Sequence, residues 1–280
     1  MLRETGGMTT RTAPAPAGRT ASAPGGEADV APVAALLAEP TRARLLIALL
    51  DGRALPAGVL AREAGVSAQT ASGQLARLLA GGLLTVEPSG RRRYYRLAGP
   101  DVAAAVEALA RLAPTAPVTS LRAGTRAQAL RQARTCYDHL AGRLGVAVTE
   151  ALLAHGALVA ADGTAGTARR PGDPLAAPLP DHPYTLGPKA EEVCAAFGVD
   201  LPAVQQARTR RPLLRFCVDW TEQRHHLAGR LGAAFTEALL AQGWLERART
   251  HRALRLTESG AERLAALDAL PPPGPDGTSS

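Results

Sequence analysis

Apolar positions recur at helical spacing through residues 31–112. Leu45, Leu46, Leu49 and Leu50 keep a three-four interval after Pro40-Thr41-Arg42, and Asp51-Gly52 closes that stretch. A short helix is predicted ahead of it, over Pro32–Ala38. Val59, Leu60 and Ala64 mark another over Pro56–Ala64, with Gly65 as a tight turn and Val66 as a core plug. Ser67 is placed to cap a longer helix, Ala68–Ala80. Along it Ala71, Leu75, Leu78 and Leu79 share one face, while Gln69, Thr70, Ser72, Gln74 and Arg77 share the other. Gly81-Gly82 ends that helix. Two strands follow, Leu83–Glu87 and Tyr94–Leu97, joined by the turn Pro88-Ser89-Gly90-Arg91-Arg92-Arg93, and a helix over Asp101–Leu112 closes the block.

The pattern changes around this block. Residues 1–29 are broken by Pro and Gly and read as a disordered tail. Residues 30–112 are one compact domain, 113–120 a linker, 121–268 a second domain, and 269–280 a second tail. Within the second domain His139-Leu-Ala-Gly-Arg-Leu-Gly and the following Thr149-Glu-Ala-Leu-Leu-Ala recur from His226 and Thr236, 87 residues further on. After each copy come two strand-like runs, Ala157–Ala161 with Tyr184–Leu186, and Trp244–Arg247 with Ala253–Thr257. A helical stretch follows each pair, Lys189–Phe197 and Ala261–Leu267. Helix, strand, strand, helix is also the order of a winged-helix half. The fold class expected is therefore mainly α with small β wings: a winged helix-turn-helix domain plus a C-terminal domain of two winged-helix-like repeats.

Composition narrows the function. The chain of 280 residues has a formal net charge of +7, carried almost wholly by arginine, and 46% hydrophobic residues of which few are aromatic. A basic balance points to nucleic acid or an anionic surface, although an arginine-rich coding bias gives the same excess. No apolar run approaches the length of a membrane span, and residues 1–27 lack the apolar core of a signal peptide. Three cysteines, an odd number without framework spacing, fit a reducing compartment. A cytoplasmic, nucleoid-associated protein is expected. Phosphate-cradling glycine loops, a Gly-x-Ser-x-Gly elbow and a His-Glu-x-x-His motif are missing, so enzymatic function is not expected.

The helix-turn-helix and the arginine-rich turn occur in the order that double-stranded DNA requires. A helix fits the major groove, where Gln69, Thr70, Ser72 and Gln74 are expected to read base edges. Ser67, Arg77, Arg91, Arg92 and Arg93 are expected on phosphates. The alternatives are a winged helix used for protein contact, and an architectural protein that binds any DNA.

Ala38 to Gly52, Leu60 to Leu75, Gly81-Gly82-Leu83-Leu84 and Gly90 to Leu97 resemble the ArsR/SmtB family of bacterial repressors. The opening is similar to the cadmium- and lead-sensing branch. The resemblance covers about 80 residues and implies a homodimer, built on the helices flanking the core and bound to a pseudo-palindromic operator. It also implies repression relieved by an inducer. Two sites that many family members use for metal are missing: Ala54–Ala64 has no cysteine or histidine, and Asp101–Leu112 has no histidine pair.

Sensing is therefore expected in the second domain. Cys136, Asp138 and His139 stand ahead of the first repeat helix, and Cys217, Asp219, His225 and His226 ahead of the second. Such residues suit a divalent ion such as zinc, cadmium or lead. A small organic inducer in a cleft between the repeats is the other candidate. A regulator indifferent to metal, whose C-terminal domain binds protein, is a further alternative. Buried apolar cysteines, helix-capping aspartates and hydrogen-bonded histidines would account for the same residues without any ligand.

Overall fold

The computed structural model describes residues 27–50, 52–90, 92–113, 121–173, 179, 183–209, 211–248 and 252–272. Arg91 and most of both expected tails lie outside them.

The first domain is a three-helix core with a wing. Helices α1 (Ala31–Leu37), α2 (Pro40–Ala48), α3 (Ala57–Ala64) and α4 (Ala68–Ala80) lead into strands β2 (Leu84–Ser89) and β3 (Arg92–Leu97), and α5 (Pro100–Leu112) follows. Pro40 suits the first helical position of α2, and the Glu39 carboxylate takes the N–H groups of Thr41 and Arg42. The Ser67 hydroxyl caps α4 by accepting from Thr70 N–H at 3.1 Å. Leu45, Leu49, Leu60, Leu75 and Leu78 are wholly buried and form the core, as their spacing predicts. Two features depart from the expected pattern. Leu55–Pro56 form a short strand, β1, that pairs antiparallel with Tyr94 and Tyr95 and gives the sheet order β1-β3-β2. The wing strands also run further toward the tip, pairing Pro88 with Arg93 and Ser89 with Arg92. The expected six-residue turn is thus largely ladder, and Arg92 and Arg93 are strand residues.

The second domain opens with α6 (Leu121–Gln132), a helix the apolar pattern had not marked. Two halves with the same element order follow. The first is β4 (Arg134–Cys136), β5 (His139–Ala141), α7 (Arg143–Ala154), β6 (Leu158–Ala160), β7 (Tyr184–Leu186) and α8 (Ala190–Ala196). A short α9 (Leu201–Gln206) then connects to β8 (Arg215–Val218), β9 (His225–Ala228), α10 (Gly229–Ala241), β10 (Leu245–Arg247), β11 (Leu254–Leu256) and α11 (Glu258–Ala265). The helix, strand, strand, helix order is as expected. The hairpins β4-β5 and β8-β9 ahead of α7 and α10 are additional.

The repeated sequence has a physical cause in both halves. Gly145 and Gly232 let α7 and α10 press on their own hairpins: an added Cβ would meet the carbonyl oxygens of Leu140 and Leu227 at 2.5 and 2.6 Å. Thr149 and Thr236, both buried, donate back to the carbonyls of Gly145 and Gly232. Thr149 also accepts from Leu227 N–H, which ties the halves together. One continuous core runs through both, from Leu140 and Phe197 to Phe216, Phe235 and Leu264. That core extends past residue 268, because Ala269 is fully buried and its N–H donates to the Leu264 carbonyl.

The two domains are bolted together. Glu107 of α5 pairs with Arg252, both buried, and Glu63 of α3 with Arg126 of α6 at 2.9 Å. Tyr137, in the β4-β5 turn, packs against the first domain's core.

Candidate nucleic-acid interface and Cys/His cavity

On the first domain, α4 shows Gln69, Thr70, Ser72 and Arg77 to solvent. A groove of about 520 Å³ runs between the start of α3, Ser72 of α4, and Arg92 and Arg93 of the wing. Arg62, near the end of α3, also lines it, a cation that sequence reasoning passed over because it lies on the scaffold helix rather than on α4 or the wing. Ser72 on the polar face of α4 and the wing residues Arg92 and Arg93 therefore border one concave surface. Gln74 is placed differently. It is half-buried, and its amide oxygen accepts from Arg42 Nη1 at 2.9 Å. Arg42 is buried and also donates to the carbonyls of Ala35 and Leu36, so Gln74 locks α4 onto α1 and α2. Ser67 and Thr70 hydroxyls lie 2.9 Å apart.

In the second domain the two added hairpins perform the same task. Each places a cysteine directly across from a histidine: Cys136 opposite His139 in β4-β5, and Cys217 opposite His226 in β8-β9. The hairpins face each other, and one donor atom from each of the four residues lies within 4.8 Å of all the others. The imidazole rings stack with centroids 5.2 Å apart. The cysteines are free thiols.

The other three expected ligands are not in this cluster. Asp138 forms an ion pair with Arg211 and lies 3.4 Å from His139 Nδ1. Asp219 is wholly buried, accepts from Arg134 Nη2 on both carboxylate oxygens at 2.9 Å, and lies 3.6 Å from His226 Nδ1. His225 points the opposite way along β9. Its Nε2 meets Asp173 at 2.7 Å and its Nδ1 meets the Tyr184 hydroxyl at 2.8 Å, which pins the loop after β6. Alternation along a strand explains this: His225 and His226 are neighbours and must face opposite sides.

The electrostatics of the cluster are set by burial and close charge. Burial works against a charged His139, but the neighbouring Cys136 and Asp138 outweigh it and raise its pKa to about 9. Burial dominates at His226 and lowers it to about 3, against the pull of Asp219. The hydrogen bond to Cys217, together with burial, pushes the Cys136 thiol well up. Burial likewise opposes ionisation of Asp219, yet Arg134 holds its carboxyl below the usual carboxylate range. His139 Nε2 and both His226 nitrogens are buried without a hydrogen-bond partner. A cavity of about 470 Å³ opens onto this cluster, walled by Ala103, Ala104 and Glu107 of α5 and by Arg211, Arg215 and Trp220. The wall contributed by α5 belongs to the first domain, so an occupant would touch both.

Comparison with known proteins agrees with the position of the helix-turn-helix. A family model described as a helix-turn-helix domain matches residues 37–87. YdfF of Bacillus subtilis (strain 168), an uncharacterized HTH-type transcriptional regulator, is 38% identical over 232 residues, which span 83% of this chain and 93% of YdfF. The HTH-type transcriptional regulator CmtR of Mycobacterium tuberculosis (strain ATCC 25618 / H37Rv) is 41% identical over 70 residues, 25% of this chain and 58% of CmtR. Among solved structures, the homodimeric winged helix-turn-helix DNA-binding domain (fragment 1–100) of Mb0332 from Mycobacterium bovis, a possible ArsR-family transcriptional regulator, is 34% identical. It covers 31% of this chain and 87% of that fragment, with a TM-score of 0.27. No helix among the described residues is long and apolar enough to cross a membrane.

Proposed function

The chain belongs to the HTH-type transcriptional regulators, and on that premise we propose that it is a dimeric, sequence-specific repressor whose hold on its operator is weakened by an inducer taken up in the C-terminal domain. The observation that carries this reading is the shared surface of α4 and the wing. Gln69, Thr70 and Ser72 stand exposed on α4, and Ser72 lines one groove with Arg92 and Arg93. Short polar side chains on such a helix reach base edges in the major groove, while the wing cations neutralise phosphates. Gln69, Thr70 and Ser72 are the base readers, and Arg77, Arg92, Arg93 and Arg62 the phosphate contacts. Gln74 supports the reading helix from behind.

Dimerisation is supported by the apolar residues left exposed on the flanking helices and just before α1. Val30, Val33, Leu109 and Leu112 are all exposed, and a second copy would cover them. A two-fold protein reads an inverted repeat. The inducer site is the cavity shared by α5 and the two hairpins. The protein would act at its operator, in the cytoplasm and at the nucleoid.

The test is selection from a random-sequence duplex library with the full chain. An enriched inverted repeat with half-sites about one helical turn, roughly 10 bp, apart is expected. Binding without enrichment of any sequence would overturn the reading in favour of an architectural role.

A further inference from the structure

We infer that Cys136, His139, Cys217 and His226 form a four-ligand site for one soft divalent metal ion of the zinc and cadmium class. This deepens the inducer reading above by naming what the cavity floor binds, and it can be tested without DNA.

Three observations carry it. The first is convergence: the two hairpins, distant in sequence, bring two thiols and two imidazoles within 4.8 Å of one another. In a tetrahedral zinc site, bonds of about 2.3 Å to sulfur and 2.0–2.1 Å to nitrogen place neighbouring donors about 3.3–3.8 Å apart. The hairpins need to close by only about 1 Å on that geometry. The second is the set of buried ring nitrogens without partners, His139 Nε2 and both nitrogens of His226. Buried polar atoms in a folded protein are ordinarily satisfied, and a metal would take up one nitrogen of each ring. A Cys136–Cys217 disulfide would not, because it leaves the imidazoles as they are.

The third is the shell behind the ligands. Each histidine has a carboxylate near Nδ1, Asp138 at 3.4 Å and Asp219 at 3.6 Å, and each carboxylate is anchored by an arginine, Arg211 and Arg134. Metal-bound imidazoles commonly donate Nδ1–H to a carboxylate while Nε2 faces the metal. Asp138 makes this hydrogen bond to His139, and Asp219 lies just outside hydrogen-bond reach of His226, placed to complete it when the hairpins close. Two thiolates and a divalent cation also sum to zero charge, which suits a site this deeply buried. Magnesium and calcium prefer oxygen donors and are disfavoured. The cavity supplies the entry path.

The experiment uses the full chain, reduced and stripped with a chelator, titrated anaerobically with cobalt(II). One equivalent per chain is expected to bind, with the intense visible bands of a tetrahedral site and a thiolate-to-metal charge-transfer band. Zinc or cadmium should then bleach both. Cys136→Ser and Cys217→Ser should each weaken binding by about a hundredfold or more, beyond the usual effect of an outer-shell change, and reduce the charge-transfer band. His226→Cys keeps a soft donor and should retain a tetrahedral spectrum with a stronger charge-transfer band, which separates ligand loss from misfolding. Cys194→Ala, outside the cluster, should change nothing. An octahedral cobalt spectrum, or a tetrahedral one indifferent to both serine variants, would overturn the site and leave the DNA reading untouched.

Discussion

The backbone N–H of Tyr137 donates to the carbonyl of Leu50 at 2.7 Å. This contact joins the turn between two proposed metal ligands, Cys136 and His139, to the chain just past α2 in the DNA-binding domain. Tyr137 sits at φ 60°, in a two-residue turn where glycine is usual, and its side chain packs on the first domain's core. A bulky residue held there costs about 1–3 kcal/mol and persists only where its surroundings impose it. Closure of the hairpins on a metal would pull on this contact. Gly52 completes the joint: at φ 70°, an added Cβ would lie 2.9 Å from the Tyr137 carbonyl oxygen.

Gly52→Ala should therefore destabilise the protein by about 1–2 kcal/mol, from strain at positive φ and from the clash. It should also shrink the effect of metal on operator affinity while leaving cobalt binding intact. Urea denaturation and binding titrations check the two halves of this expectation. A variant as stable and as responsive as the parent would show that the joint carries nothing.

Arg92→Ala should weaken binding to all duplexes alike and reduce the slope of log affinity against log salt by about 1. Gln69→Ala should instead relax preference at one base pair, by about 1–3 kcal/mol of discrimination. Gln74→Ala should leave specificity unchanged and cost about 1–3 kcal/mol of stability, because Arg42 loses a buried partner. Salt-series anisotropy, operator-variant panels and denaturation distinguish the three.

Glu107→Ala would strand the buried Arg252 guanidinium at the domain junction. Removing one member of a buried pair costs about 3–5 kcal/mol. The expected result is a lower urea midpoint, with much of the loss recovered when Arg252 is replaced by Met in the same chain. If the single variant unfolds at the parental midpoint, the junction is looser than described.

The Asp162 carboxyl is held at about 2 by its ion pair with Arg170 and by the Thr164 N–H. A depressed folded pKa means the contribution is present above the ordinary value near 3.8 and is lost as pH falls through about 2. Carbon-detected titration of the side-chain carboxyl should find that low value in the parent and an ordinary one in Arg170→Gln. An ordinary value in the parent would refute the pairing.

Legibility in the sequence followed the range of the forces involved. The faces of α4 were readable because Ala71, Leu75 and Leu78 repeat at the period of the helix they build. The repeat was readable because Gly145 and Gly232, with Thr149 and Thr236, meet identical local demands in both halves. Strand β1 was hidden because two residues, Leu55 and Pro56, have no periodicity, and their pairing with β3 is long-range. Hairpins β4-β5 and β8-β9 were hidden for a related reason. They are three or four residues long and buried on both faces, including polar Arg134, Thr135 and His225, so no apolar alternation marks them. The seven expected ligand residues contained the four that converge. Separating them from Asp138, Asp219 and His225 required strand direction and the positions of Arg134, Arg211 and Tyr184, which no local pattern records. Gln74 looked like a base reader for the same reason, since its partner Arg42 lies on another helix.

The most direct measurement is operator affinity of the full chain, on the inverted repeat recovered by selection, with chelator and then with one equivalent of zinc or cadmium. Metal should lower the affinity of the parent by about 5–150-fold, the usual span of allosteric coupling, and leave that of Cys217→Ser unchanged. Equal affinity with and without metal, in a sample whose cobalt spectrum shows the four-ligand site filled, would contradict control of DNA reading by the C-terminal cluster.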